Sequence, residues 1–335
     1  MQAVTSQEDL EQHRREIAGY CYRMLGSVFE ADDATQETML RAWRGLERFE
    51  GRSSVRTWLY RIATNVCWDM LRGRQRRERP MDLGPSSPAD ASFLGPQLVD
   101  HPWLLPMPDA RSVPDVAAGD DPAGAAVGRE SIRLAFVAAL QHLPPRQRAV
   151  LILHEVLSWS ALEVAELLDT SVASVNSALQ RARATLAARH LEDLPDLVSV
   201  EKEQQELLDS FVDAFERYDI DRLATLLRDD VVQSMPPYAL WLEGVDRVAQ
   251  WWKGPGIDCA GSRLLATRAN GCSAFAQYRR AETFGDGGGG HLPWAVHIIE
   301  VSEGPDRRQL ISAICTFIGP DIFDAFDLPD RLPAA

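Results

Sequence analysis

The sequence has no apolar run near the ~20 residues that a membrane-spanning helix needs, and it opens on MQAVTSQEDLEQHRRE, polar and acidic where a secretory signal would turn apolar. A cytoplasmic protein is expected. Cysteine is sparse: Cys21, Cys67, Cys259, Cys272 and Cys315 are scattered and odd in number, with no CxxC pair and no His at zinc spacing. Neither a disulfide framework nor a metal site is expected from that pattern. Positive charge is in short supply overall, the formal net charge being -14. Location matters more than the sum, however, because phosphates are gripped by local patches. The apolar fraction of 45% excludes wholesale disorder, and 335 residues leave room for two or three domains.

The basic charge that exists is concentrated. Between Gly51 and Arg79 stand Arg52, Arg56, Arg61, Arg72, Arg74, Arg76, Arg77 and Arg79, opposed only by Asp69 and Glu78. Ser53 or Ser54 can cap a helix here, and Val55, Trp58, Leu59, Ile62, Val66 and Met70 recur at helical spacing. That stripe predicts an outer face of Arg56, Tyr60, Arg61, Asn65 and Trp68. Guanidinium groups on phosphates and flat rings on unstacked bases suit single-stranded or melting DNA better than intact duplex. A solvated basic helix over a tryptophan core accounts for the same residues.

Two helices are expected upstream. Asp9 to Leu25 carries Ile17, Tyr20, Cys21 and Met24 on one face and stops at Gly26. Asp32 to Phe49 follows, capped by Asp32 or Asp33, with Met39, Leu40, Trp43 and Leu46 inward and Asp33, Gln36, Glu37, Arg41 and Arg44 outward. Acids in a first turn complement the helix dipole; they also suit a docking face for a basic partner.

Taken together, EADDATQETMLRAWRGLERFEGRSSVRTWLYRIATNVCWDMLRGRQRR resembles region 2 of an extracytoplasmic-function sigma factor of the sigma-70 family. The resemblance implies core RNA polymerase as partner, its beta-prime clamp meeting Asp33, Gln36 and Glu37. It also implies opening of a -10 element by Trp58, Arg61, Asn65, Trp68, Asp69 and Arg72. Housekeeping sigma factors have two adjacent tryptophans at the melting position. Here Trp58 is followed by Leu59, so melting should depend more on a good promoter match.

From Pro80 to Gly128 prolines recur too often for a long helix, and the acids face Arg111 as the only base, so a polyanionic linker is expected. The resemblance implies that such a segment threads the polymerase cleft; a plain solvated linker fits equally. Trp103, Leu104 and Leu105 are apolar enough to dock, on polymerase or on the C-terminal domain.

A second helical block starts near Arg129, with Ile132, Phe136, Ala139, Leu140 and Leu143 on one face, and Pro144-Pro145 opens another helix. SWSALEVAELLDTSVASVNSALQRARATLAARH then has helix-turn-helix form: Ser160 caps a short helix to Leu168, Asp169 to Ser171 turn, and a second helix runs to about His190. An inward stripe of Val172, Val175, Leu179, Ala182 and Leu186 puts Ser174, Ser177, Gln180, Arg181 and Ala184 outside. No acid occurs from Thr170 to His190, and Arg183 and Arg189 lie where phosphates would be. The segment resembles sigma region 4, which implies contact with the polymerase beta flap and reading of a -35 element by Ser174, Asn176, Ser177, Gln180, Arg181 and Arg183. Many relatives have a basic residue in place of Asn176 and near Ala178, so no relative's -35 sequence transfers. ESIRLAFVAALQHLPPRQRAVL, VNSALQRAR and WLLPMPD together resemble the sigma-G type subgroup.

After Pro195 a helix from Glu201 to Asp219, short helices and strands around Val231–Met235, Arg263–Ala269, Ser273–Thr283, Trp294–Val301 and Gln309–Phe317 predict an α+β cone with an antiparallel sheet. GDGGGG, Gly285 to Gly290, connects two of the strands. FVDAFERYDIDRLATLLRDDVVQSMPPYALWLEGVDRVAQWW resembles a SnoaL-like domain of the nuclear transport factor 2 superfamily. Trp241, Trp252, Phe284, Trp294 and His297 are the pocket candidates, with Trp251 beside them. His291, His297, Asp286 and Tyr238 are acid-base candidates, but no spacing singles out a pair.

The expected fold class is multidomain: two all-α sigma domains, a region 2 bundle and a region 4 helix-turn-helix, plus an α+β SnoaL-like cone. The expected divisions are 1–79, a linker at 80–128, 129–195 and 201–330. The expected function is an alternative sigma factor, without enzymatic activity or cofactor, binding core polymerase and promoter DNA but no membrane. Its C-terminal domain would act in cis and has room for a small-molecule ligand of unknown kind. A ligand-sensing helix-turn-helix regulator and a SnoaL-like enzyme are the rival readings.

Overall fold

The computed structural model describes residues 7–112, 131–188 and 201–334. The chain divides into two compact units, one formed by Met1–Arg77 with Leu104–Leu194, the other by Glu78–Trp103 with Pro195–Ala335. Arg129, Arg189 and His190 lie outside the described residues. Among the described residues no helix is long and apolar enough to cross a membrane.

The first unit is helical. After the short helix Gln7–Glu11 come α1 (Arg14–Leu25), α2 (Val28–Gly45) and α3 (Val55–Leu71). The expected single helix from Asp9 is therefore two. Gly26 ends α1 at φ +70°, and a Cβ there would meet Leu104 and Arg77 at 3.0 and 3.1 Å. Ser27, not Asp32 or Asp33, caps α2 by accepting from the Glu30 N–H at 3.4 Å. Ser27 is extended and Val28 and Ala31 are already buried on the first turn, so both aspartates fall inside the helix. Ser54 caps α3, accepting from the Thr57 N–H at 3.0 Å.

The buried side of α3 is Leu59, Tyr60, Ala63, Thr64, Val66 and Cys67, while Trp58, Ile62 and Met70 are only half-buried. The expected outward position of Tyr60 is thus corrected. Its ring meets Tyr20 edge-on at 5.1 Å and Trp159 at 5.3 Å, because α1 and the downstream helices close on α3 from both sides.

Those downstream helices are α4 (Leu134–Leu140), α5 (Pro145–Leu151), α6 (Ala161–Leu167) and α7 (Val172–Ala187), with a wide five-residue turn at Ile152–Val156. Ser160 and Glu163 form a reciprocal cap on α6. Asp169 takes φ +49° in the turn, and Ser171 caps α7 by accepting from the Ser174 N–H at 3.2 Å. Along α7 Val175, Ala178, Leu179 and Ala182 are buried, whereas Val172 is exposed and Leu186 half-buried.

Two buried arginines join the halves of this unit. Arg148, 4% exposed, donates to the Met24 carbonyl, to Gln141 Oε1 at 2.7 Å and to the Gln141 and Leu143 carbonyls at 3.1 and 3.2 Å. Arg23 donates to the Ser131 carbonyl and hydroxyl at 3.2 and 2.8 Å. Burial pulls both guanidinium groups down to about 10, which leaves them charged at neutral pH. The Leu105 N–H donates to the Gly26 carbonyl at 3.0 Å and Leu104 is buried, so this apolar stretch docks on the end of α1 within the first unit.

The second unit has helices α8 (Glu201–Arg217), α9 (Ile220–Ala224), α10 (Val245–Lys253) and α11 (Asp321–Ala325) with a six-stranded sheet of order β2-β1-β6-β5-β4-β3. The strands are β1 (Leu227–Ser234), β2 (Trp241–Glu243), β3 (Arg263–Ala269), β4 (Cys272–Arg280), β5 (His291–Glu303) and β6 (Gln309–Ile318). The sheet departs from a purely antiparallel one, since β1 and β6 run parallel. Phe211, Phe215, Val248, Trp251 and Ile314 pack between helices and sheet.

Residues 78–103 run along this unit as a strap. Trp241 Nε1 donates to the Gly84 carbonyl at 2.9 Å, the Ser87 N–H to Trp241 at 2.8 Å and the Leu98 N–H to Pro237 at 2.9 Å. The first part of the expected linker is therefore held, because its own N–H and C=O groups find partners on β2 and the turn before it. Trp103 is buried here, its Nε1 donating to Leu98 at 2.9 Å.

Candidate functional site

On α2, Asp33 and Gln36 are exposed and Glu37 pairs with Arg41 at 2.6 Å. Arg41 lies 3.8 Å from Asp69, tying this acidic face to α3. Beside Gln36 a shallow groove of about 310 Å³ is lined by Leu10 and Met39 and edged by Leu40 and Trp43, which are 42% and 57% exposed. Leu40 and Trp43 were expected inward. They stand outward because Ala31, Ala34, Thr35, Thr38, Met39 and Ala42 already fill the buried side of α2.

On α3, Arg61, Asn65, Asp69 and Arg72 are exposed at spacings that place them on one face. Arg72 lies 3.3 Å from Asp69. Trp58 is not free beside them: its ring stacks on Phe49 at 4.8 Å and packs over Gly45, where a Cβ would come within 3.0 Å. Trp68 is half-buried, donating from Nε1 to the Pro145 carbonyl at 3.4 Å with the Arg146 guanidinium 5.5 Å from its ring. Arg61 also reaches the downstream helices, through the Glu166 carbonyl at 3.0 Å. Arg56 lies 5.5 Å over Trp159 and 5.2 Å over Tyr60.

On α7, Ser174, Asn176, Gln180, Arg181 and Arg183 are exposed and Ser177 half-buried. Ser177 Oγ accepts from Arg181 at 2.7 Å, and Arg183 pairs with Glu155. These contacts hold the Arg181 and Arg183 side chains against the protein surface.

In the second unit a cavity of about 220 Å³ lies between the sheet and helices α8, α9 and α10. Trp252, Trp294 and His297 line it; Trp241 and Phe284 do not. Trp241 is turned to Gly84 by its N–H, and Phe284 stands 43% exposed at the end of a short helix, near Trp294 at 6.0 Å. The two histidines diverge as well. His291 bonds the Gly261 carbonyl at 3.0 Å, away from the cavity, and Asp286 pairs with Arg331 on the surface. His297 lies between Thr316 Oγ1 and Gln277 Oε1, both at 2.9 Å, and burial lowers its pKa to about 4, so the ring is neutral. Gln277 in turn donates to Ser262 at 2.8 Å.

Sequence reasoning missed Gln233, Gln277 and Arg279 in this cavity. The signal was present in β4, where Phe275, Gln277 and Arg279 alternate at the period of one strand face. Among the described residues no group of three or more His, Cys, Asp or Glu is placed to hold a metal ion.

The chain matches the family profiles for sigma-70 region 2 at residues 10–77, sigma-70 region 4 at 133–186 and a SnoaL-like domain at 208–305. The ECF RNA polymerase sigma factor SigG of Mycobacterium tuberculosis is 43% identical over 325 residues, covering 96% of this chain and 83% of the relative. SigW of Bacillus subtilis, also an ECF RNA polymerase sigma factor, is 31% identical over 182 residues, 54% of this chain and 86% of its own. The crystal structure of the M. tuberculosis extracytoplasmic-function sigma factor SigJ shares the fold, with a TM-score of 0.56 at 22% identity over 98% of this chain and all of that one. The chain therefore belongs to the extracytoplasmic-function RNA polymerase sigma factors, alternative sigma factors that direct transcription, and carries a fused SnoaL-like domain.

Proposed function

We propose that the chain joins core RNA polymerase in the cytoplasm through Asp33, Gln36 and Glu37 on the beta-prime clamp and through region 4 on the beta flap. The exposed stripe of Arg61, Asn65, Asp69 and Arg72 engages the melted -10 strand, with Trp68 at its edge. Ser174, Asn176, Gln180 and Arg181 read the -35 major groove, and Arg183 takes a phosphate. The observation that carries this reading is the exposure of these polar residues on single faces of α3 and α7, whose opposite faces are consumed by packing. Run-off transcription with purified core enzyme tests it: specific transcripts are expected, and silence on every promoter, the chain's own upstream region included, would sink it.

The reading requires the first unit to open. About 140 described residues of this unit, packed together, span roughly 40 Å. The -35 and -10 elements are separated by roughly 80 Å of duplex at about 3.4 Å per base pair. Region 4 must therefore leave α1 and α3, and polymerase supplies the surfaces that replace Trp159 and Glu166.

The SnoaL-like domain acts in cis as a binding module, not as an enzyme, and its cavity takes a small molecule. Both ring nitrogens of His297 are engaged by protein groups, which supports binding over turnover. Because residues 78–103 belong to the second unit, its state bears directly on the tether between regions 2 and 4. Truncation after Val198 should change transcription in one direction or the other; unchanged output removes the idea.

A further inference from the structure

The cavity of the second unit is apolar on most of its wall, with Phe215, Trp251, Trp252 and Trp294 prominent. Against that wall stand two polar groups the protein does not satisfy. Arg279 is 8% exposed, and its Nε has no hydrogen-bond partner. Its nearest carboxylate oxygen, on Asp258, is 3.6 Å away on a side chain 77% exposed, beyond the ~2.7–2.9 Å of a charge-assisted hydrogen bond. The guanidinium carbon sits 4.5 Å over Trp294, so the ring holds the fork in place without neutralising it. The second group is Gln233 Oε1, on a side chain 5% exposed and likewise unpartnered. A buried charge without a full partner and a buried acceptor without a donor are both costly in an apolar site. Both line the same cavity.

We propose that this cavity binds a small ring carboxylate, its anionic end on Arg279 and its hydroxyl or amine donor on Gln233. The space equals that of about seven waters at ~30 Å³ each, enough for one ring or two fused rings. The rings pack on the tryptophans, and the carboxylate takes the fork bidentately, displacing the loose contact with Asp258. Leu94 of the strap lines the cavity, and the adjacent Gln97 donates to the hydroxyl of Tyr238, another wall residue, at 3.0 Å. A bound ring therefore touches the segment that connects regions 2 and 4. The proposal rests on reading the SnoaL-like domain as a binding module and is independent of the promoter reading.

Calorimetry on the full chain, without polymerase, tests it with benzoate, 4-hydroxybenzoate and 2-naphthoate against benzamide and 2-naphthamide. The carboxylates are expected to bind at least tenfold tighter than their amides, and 4-hydroxybenzoate tighter than benzoate. Arg279→Met should bring carboxylate and amide to within threefold of each other. Should that variant not fold, Leu94→Trp, a change on the strap that fills the cavity from outside the sheet, should abolish all binding. Equal affinity for acids and amides overturns the ligand class while leaving a binding module. No binding by any compound up to 10 mM overturns the class and the module together, and carboxylate binding that survives Leu94→Trp places the site elsewhere. Run-off transcription is read separately, so failure here leaves the sigma reading intact.

Discussion

Arg61 on α3 donates to the backbone carbonyl of Glu166 on α6 at 3.0 Å, so a residue of the candidate -10 face is tied to the first helix of the helix-turn-helix. The same closure brings Trp159 against Tyr60 and beneath Arg56. On the function proposed above, contacts of this kind break when the two regions engage separated DNA elements.

Trp159→Ala should loosen the closure. An aromatic pair is worth about 0.5–1.5 kcal/mol beyond its buried area, and the truncation as a whole costs about 3–5 kcal/mol. Energy transfer between dyes at the exposed positions Arg52 and Ala187 should report a longer mean distance in the free protein. A distance unchanged from the parent would show that this contact does not hold the regions together.

The triple change Asp33→Ala, Gln36→Ala, Glu37→Ala should weaken core polymerase binding at least tenfold, about 1.4 kcal/mol. Folding should be nearly untouched, since exposed substitutions usually stay within about 0.5 kcal/mol each. Parallel measurement of binding and melting temperature checks both halves. Intact binding would move the interface off α2.

On the DNA side, Gln180→Ala should relax preference at one -35 base pair by about 1–3 kcal/mol. Arg72→Ala should instead weaken open-complex formation across promoters and lower the salt slope by about 1. A promoter panel at several salt concentrations separates the two behaviours. Identical profiles would refute the division between reading and gripping.

His297 predicts a pH signature in the second unit. Its folded pKa of about 4 lies below the ordinary 6.5, through burial among the uncharged Phe215, Gln277 and Thr316. Above pH 6.5 the ring is neutral in folded and unfolded chains alike. Between 6.5 and 4 only the unfolded chain takes up the proton, so stability falls with falling pH by about 3 kcal/mol and then levels off. Urea unfolding at several pH values should show this slope, and His297→Gln should flatten it. An equal slope in the variant would assign the effect to other groups.

Local chemistry was legible wherever a short-range rule decides it. The helix-turn-helix follows from Ser160, Asp169 and Ser171, and strand β3 falls on the expected Arg263–Ala269. Periodicity misled where two neighbours compete for one helix: α3 is packed from both sides, so Tyr60 turns in while Trp58 is drawn to Phe49. Proline content marked residues 80–128 as unable to form a long helix, but the partners of the described part, Trp241 and Pro237, lie more than a hundred residues away in sequence. Arg279 went unremarked, although it alternates with Phe275 and Gln277 along β4. Its burial depends on β4 sitting inside the sheet with Trp294 beside it.

Sequence alone settled the types of element, the placement of acidic and basic faces and the resemblance to sigma regions, because these depend on spacing along one helix or strand. Only the tertiary structure decided which arginines are buried, that region 4 closes on α3, and that the tether is strapped to the C-terminal unit. Each of those outcomes is a choice of partner between distant segments. It is set by which buried polar groups must be satisfied once the chain is packed, and no local period encodes that.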